Sequence, residues 1–195
     1  MLKSKTDIEK LTVKLGIVFS QFRLSPNTWT LLSLIFAFFG FLSLTVCHDI
    51  IKGLTFFALS GFLDMVDGAV ARVTGRATNF GAFLDGITDR YVEFFLYFGL
   101  LIFGVNGLYI ALLIFGAIMP SFVTAYSCYR NVITEKDEHK KMAGLIERAE
   151  RLMLIYFSML LGIFDLIFLD YGTLITAILS NITALQRILF VFRHR

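Results

Sequence analysis

The sequence is short of the residues that staple or seed a soluble domain. Only two cysteines, Cys47 and Cys128, occur in 195 residues. Both fall in apolar stretches, so a disulfide framework is excluded and each thiol reads as a small hydrophobe. Three histidines, His48, His139 and His194, are too scattered for a zinc site. Charged residues make up 17% of the chain and hydrophobic ones 57%. A soluble domain is typically about 45–50% apolar, so a soluble fold is excluded. The lysines among the first apolar residues argue against a cleavable leader. There is no internal repeat and no low-complexity segment. The basic residues flank apolar runs and do not interleave with aromatics, which excludes a nucleic-acid-binding surface.

What remains is a set of apolar runs, with 22 phenylalanines as lipid-facing and core surface. At about 20 residues per span the length suits six membrane crossings with short connections. The expected fold is therefore all-α, an integral membrane bundle of six transmembrane helices. Residues 1–23 form no span. Ile8, Leu11, Leu15, Val18 and Phe19 recur at helical spacing with Lys10 and Lys14 on another face, which predicts an amphipathic helix lying in the membrane interface. Residues 24–195 are expected to form the membrane domain. Ser25 and Pro26 read as the N-cap and first residue of a helix, and the first span runs to about Val46. The second is expected from about Gly53 to Gly75, the third from Thr78 or Asn79 to Phe103, and the fourth from Leu108 to Tyr129 with a kink at Pro120. A polar loop covers 131–145. The fifth span runs from Ile146 to Phe164, Asp165 to Tyr171 form a turn, and the sixth ends near Phe192. Lysines and arginines gather before the first span, around 72–90, from Arg130 to Arg151 and at the C-terminus, with only Lys52 on the other side. The positive-inside rule then places both termini, residues 64–89 and the basic loop in the cytoplasm of a multi-pass plasma-membrane protein.

Within the second and third spans lie four aspartates. Asp64 and Asp67 are three apart and share a helix face, as do Asp85 and Asp89, four apart. A break near Gly75 makes the two helices antiparallel neighbours and brings both pairs to similar depth. A carboxylate near a helix centre in hydrocarbon costs roughly 2.5–3.5 kcal/mol, so this cluster needs countercharge. Three readings meet that need: divalent ions held by hard oxygen ligands, ion pairs with Arg72, Arg76 and Arg90, or the cation pathway of a transporter.

The run Asp64-x2-Asp67-Gly68-x2-Ala71-Arg72-x8-Gly81-x3-Asp85-x3-Asp89 carries eight fixed positions. It resembles the motif of the CDP-alcohol phosphatidyltransferases, as the upstream Pro26-Asn27-x-x-Thr30 resembles the start of that family's first span. The resemblance implies an enzyme that moves a phosphatidyl group from a CDP-linked lipid (CDP-diacylglycerol or CDP-archaeol) to a polar alcohol and releases CMP. By position it implies Mg²⁺ or Mn²⁺, two ions per site, held by Asp64, Asp67, Asp85 and Asp89, with Asp89 also the catalytic base. Asn27, Thr28, Trp29, Thr30, Asp64, Gly68, Ala71, Arg72, Thr78 and Gly81 would meet the CDP-lipid. Such enzymes are expected as homodimers. A membrane prenyltransferase also uses aspartate-bound metals, but the Gly68, Ala71, Arg72 and Gly81 positions disfavour it.

The run Glu147-Arg148-Ala149-Glu150-Arg151 resembles the fifth span of family members that use inositol phosphate, and the Gly-Lys-x-Lys-Thr run usual in the glycerol-phosphate branch is absent. Arg130, Lys140, Lys141, Arg148 and Arg151 are then expected to hold an acceptor phosphate. Glycerol phosphate, serine or inositol as acceptor, and topological anchoring by these cations, remain as alternatives.

Overall fold

The apolar runs fold as helices. The computed structural model describes residues 2–133, 142 and 144–193. Among these lie seven helices: α1 (Leu2–Ser20), α2 (Pro26–Thr45), α3 (Ile50–Val73), α4 (Asn79–Phe103), α5 (Gly107–Tyr129), α6 (Arg148–Gly162) and α7 (Leu166–Arg193). The all-α expectation holds. Four helices, α2, α3, α5 and α7, are long and apolar enough to cross a membrane, which makes this a multi-pass membrane protein. At 25 residues α4 has the length, but Asp85, Asp89, Arg90 and Glu93 fall within its first fifteen residues. With 15 residues, α6 is short. The helices group into two compact units, residues 1–99 and 100–195.

In the first unit α2 begins as expected. The Ser25 hydroxyl accepts the Thr28 N–H at 3.2 Å and Pro26 follows, where its missing N–H costs nothing. The next helix starts three residues before the expected Gly53, because the Asp49 side chain accepts the Lys52 N–H at 2.9 Å and caps α3 at Ile50. That backbone hydrogen bond, with the Lys52 ammonium beside it, holds the Asp49 carboxyl below the usual carboxylate range. Small residues let these helices interlock, as is usual where lipid gives no hydrophobic drive between helices. A Cβ on Gly40 would lie 2.9 Å from the Phe57 ring, and one on Gly53 would lie 2.6 Å from Leu44.

Helix α1 docks on α3 through Gly16, where a Cβ would come within 2.6 Å of the Ala69 carbonyl oxygen. This divides the predicted apolar stripe. Leu15 and Phe19 are partly buried, whereas Leu11 and Val18 stand exposed beside Val13, Ile17 and Phe22. Side-chain hydropathy marks the stripe, but the close approach needs a residue with no side chain.

In the second unit α5 runs through Pro120 as one helix. The turn expected over Asp165–Tyr171 is shorter. Asp165 accepts the Ile167 N–H at 2.9 Å and starts α7 at Leu166. Helix α7 packs closely on both partners. A Cβ on Gly116 of α5 would meet Ser180 at 2.8 Å, and one on Gly172 would overlap Ser158 of α6. The hydroxyls at these contacts turn back to their own helices, Ser158 to the Leu154 carbonyl and Ser180 to that of Thr176, each at 2.7 Å. Back-bonding of this kind keeps a hydroxyl satisfied where no water reaches it.

Candidate active site

The end of α3 and the start of α4 build the site. Helix α3 stops at Val73 because Thr74 caps it and Gly75 follows with φ +65°, a conformation that glycine adopts freely. The Thr78 hydroxyl then accepts the Gly81 N–H at 3.0 Å and opens α4. This short reversal brings Asp64, Asp67 and Asp85 together. One carboxylate oxygen from each lies within 4.8 Å of the others. Asp67 is the most buried, at 6% exposure, and the Thr30 hydroxyl of α2, itself 3% exposed, donates to its Oδ2 at 2.5 Å. Asp89 stands one turn further along α4 and is not in this group of three.

A cavity of about 200 Å³ opens beside the carboxylates. Asp67 and Asp85 line it, with Asn27, Thr30, Gly68, Ala71, Arg72, Thr78 and Gly81, all expected from the sequence. Three of the residues expected at the CDP-lipid do not line it: Asp64, which belongs to the carboxylate group beside it, Thr28 and Trp29. Thr28 exchanges a hydrogen bond with Ser25 at 2.8 Å. Trp29 turns inward among Phe19, Val66 and Val70, with its ring edge-on to Phe19 at 5.4 Å. Helical rotation explains the split, since Asn27 and Thr30 share a face that Thr28 and Trp29 do not. Arg76, expected only as a candidate ion-pair partner of the aspartates, also lines the cavity. The only signal for it was a cation four residues after Arg72, across the break in the helix. A side chain would crowd two wall positions. A Cβ on Gly81 would lie 3.3 Å from Asn27 Oδ1, and one on Gly68 would lie 3.2 Å from the Arg72 guanidinium.

Three carboxylates within 4.8 Å of one another form a pocket of negative potential that favours a cation. Their hard oxygens suit Mg²⁺, Mn²⁺ or Ca²⁺. Arg72 and Arg76 on the cavity wall suit a ligand that carries phosphate. Arg90 pairs at 2.8 Å with Glu93 of its own helix, an acid outside the four aspartates.

The residues proposed for the acceptor lie in the second unit. Arg151 is 3% exposed, Arg148 partly buried, and Arg130 exposed at the end of α5. Arg130 borders an apolar groove formed with Phe122, Tyr126, Ile188 and Phe192. Lys140 and Lys141 lie outside the described residues.

The model of the CDP-alcohol phosphatidyltransferases matches residues 23–189. The chain belongs to the CDP-alcohol phosphatidyltransferase family. It is 27% identical to the archaetidylinositol phosphate synthase of Pyrococcus horikoshii over 95% of this chain and 93% of that one. With the enzyme of the same name from Methanothermobacter thermautotrophicus it shares 34% identity, over 75% and 72%. Its fold matches the Mycobacterium tuberculosis phosphatidylinositol phosphate synthase, solved with manganese and citrate, with a TM-score of 0.77 and 25% identity over 93% of this chain and 88% of that one. The aspartates of this phosphatidyltransferase are thus those of an enzyme, and the transporter reading falls away.

Proposed function

We propose that the protein transfers the phosphatidyl-type group of a CDP-linked lipid, CDP-diacylglycerol or CDP-archaeol, to a hydroxyl of inositol phosphate, releasing CMP. The observation that carries this reading is the Asp64–Asp67–Asp85 cluster at the edge of a cavity walled by Asn27, Arg72, Arg76 and Thr78. The names of the relatives favour the acceptor.

Asp64, Asp67, Asp85 and Asp89 would hold two Mg²⁺ or Mn²⁺ ions. When bound, these ions supply positive charge against the phosphates and favour the alkoxide form of an acceptor hydroxyl. Thr30 holds the Asp67 carboxylate in place through its hydroxyl. The nucleotide sits over Gly68 and Ala71, where small side chains leave room, with Asn27, Arg72, Thr78 and Gly81 around it. Arg72 and Arg76 place cationic donors beside the diphosphate. Asp89, one turn from the cluster, takes the acceptor's proton. The acceptor oxygen forms its bond to the lipid-bearing phosphorus as the bond from that phosphorus to the CMP oxygen breaks, and CMP leaves with the electron pair. Arg148 and Arg151, with Arg130, Lys140 and Lys141, would hold the acceptor's phosphate.

The membrane placement follows the same reading. Helices α4 and α6 complete six spans with α2, α3, α5 and α7. Residues 1–23 lie along the interface, with the exposed Leu11, Val13, Ile17 and Val18 supporting lipid contact, and residues 24–195 form the catalytic domain. Both termini and the site face the cytoplasm at the plasma membrane, as the distribution of basic residues favours, and the enzyme works as a homodimer.

The test is CMP release by purified protein supplied with each CDP-lipid and a panel of inositol phosphate, inositol, glycerol phosphate and serine. Release with inositol phosphate alone is expected. Release with another acceptor instead would overturn the acceptor, and none with any acceptor would overturn the reading as a whole.

A further inference from the structure

Arg187, near the end of α7, reads in the sequence as one more cytoplasmic anchor. Its guanidinium is instead mostly buried, with the side chain 13% exposed. Nη2 reaches both carboxylate oxygens of Glu147, at 2.8 and 2.7 Å. Nη1 donates to the Pro120 carbonyl at 3.2 Å and to the Thr124 hydroxyl at 3.0 Å, both on α5. One side chain of α7 therefore ties the residue preceding α6 to the middle of α5.

The neighbouring contacts serve the same segment. Leu145 N–H donates to Gln186 Oε1 at 2.8 Å, and Ile146 N–H donates to Thr183 Oγ1 at 3.1 Å. Thr183, Gln186 and Arg187 share one face of α7 by their spacing. Gly144 lies so close to Thr183 that a Cβ there would overlap the threonine side chain, and its N–H donates to Glu147 at 3.1 Å. Glu147 N–H is held in turn by Glu150 at 2.8 Å. Residues 144–147 are thus seated residue by residue on α7. The next residue is Arg148, and Arg151 lies one turn on.

We propose that Arg187 and Glu147 form a clamp that sets the register of the first turn of α6, and so positions Arg148 and Arg151 for the acceptor. Arg187 acts here as a positioning residue. This inference rests on the reading above that Arg148 and Arg151 bind the acceptor phosphate. The physical reason is reach. Two arginines on one face make paired phosphate contacts only if their helix neither turns nor slides, and a displacement of about 1 Å can cost as much as a hundredfold. The capping bonds within α6 fix its internal shape but not its place. The contacts of residues 144–147 to α7 supply a place, and the guanidinium among them also grips α5.

The test compares Glu147→Gln, Arg187→Gln, Arg187→Lys and the Glu147→Gln/Arg187→Gln double variant of the full chain in lipid nanodiscs. Amide exchange at 145–147 is measured alongside the KM values for inositol phosphate and CDP-lipid, with Arg148→Gln as the reference. Each clamp variant is expected to speed exchange at 145–147 and to raise the acceptor KM about tenfold, with the CDP-lipid KM unchanged. The double variant should be no worse than the poorer single, because both break one link. Arg187→Lys keeps the charge but loses the fork, so it should fall between wild type and Arg187→Gln, and it keeps the test open if the glutamine variant does not fold. Unchanged exchange would overturn the clamp. A raised acceptor KM in Arg187→Gln with none in Glu147→Gln would also overturn it, and would make Arg187 a direct phosphate ligand. Faster exchange with normal acceptor KM in the clamp variants, but a raised one in Arg148→Gln, would overturn the positioning role while the acceptor reading stands. A normal acceptor KM in Arg148→Gln would overturn the acceptor reading, and this inference with it.

Discussion

The two units use charge in opposite ways. In residues 1–99, Asp64, Asp67 and Asp85 point at one another, within 4.8 Å. In residues 100–195, Glu147 and Arg187 point at each other, at 2.7 Å. Like charges brought together destabilise a fold unless something from outside neutralises them, whereas opposite charges brought together partly satisfy one another. The first arrangement makes sense as a place for a ligand, and the second as a fastening. Clustered charge is therefore no single signal. The sign of its neighbours separates a site from a strut.

The largest expected effect breaks this contrast from the side of the first unit. Asp64→Asn, Asp67→Asn and Asp85→Asn should each abolish CMP release. Without added metal, none should lower the melting temperature, since each removes repulsion. Glu147→Gln should lower it, since it removes attraction. Thermal melts in chelator, set beside activity in Mg²⁺ or Mn²⁺, read both halves. Full turnover of the wild type in chelator would undo the metal reading, and a destabilised aspartate variant would mean that the cluster is structural.

A smaller effect is expected at Asp89. As the base, its replacement by Asn should cut kcat by about 10²–10⁴-fold with little change in the CDP-lipid KM. Steady-state kinetics with each substrate varied in turn measures the split. A kcat near that of the wild type would leave Asp89 out of the chemistry.

The smallest of the three lies in the second unit and sharpens the comparison there. Arg148→Gln and Arg151→Gln should raise the acceptor KM on the order of tenfold to a hundredfold, from the loss of one charge-assisted bond worth about 1.5–3 kcal/mol, and should leave the CDP-lipid KM alone. An unchanged acceptor KM would make these arginines fastenings like Arg187.

Much of this was legible in the sequence, because much of it is local. Hydropathy over a helix-length window marks α2, α3, α5 and α7 without reference to anything distant. The Ser25-Pro26 start of α2 and the Gly75 break are set by backbone chemistry within a few residues. The motif spacing from Asp64 to Asp89 named the aspartates, since three- and four-residue steps on a helix define a face whatever the helix packs against.

What the tertiary structure decided is which of several equivalent faces turns inward. Trp29 and Asn27 are two residues apart in one motif, yet only Asn27 lines the cavity, because the packing of α2 on α3 chose the rotation. Phe19 and Val18 belong to one apolar stripe, yet Gly16 set where α1 touches α3. Arg76 joined the cavity because the chain reverses at Gly75. Arg187 became a clamp because α7 passes beside Glu147, 40 residues earlier. A sequence records which groups are available and how they are spaced along one helix. Which of them meet depends on close packing between helices, and a missing side chain, as at Gly16 or Gly144, decides that as much as any side chain present.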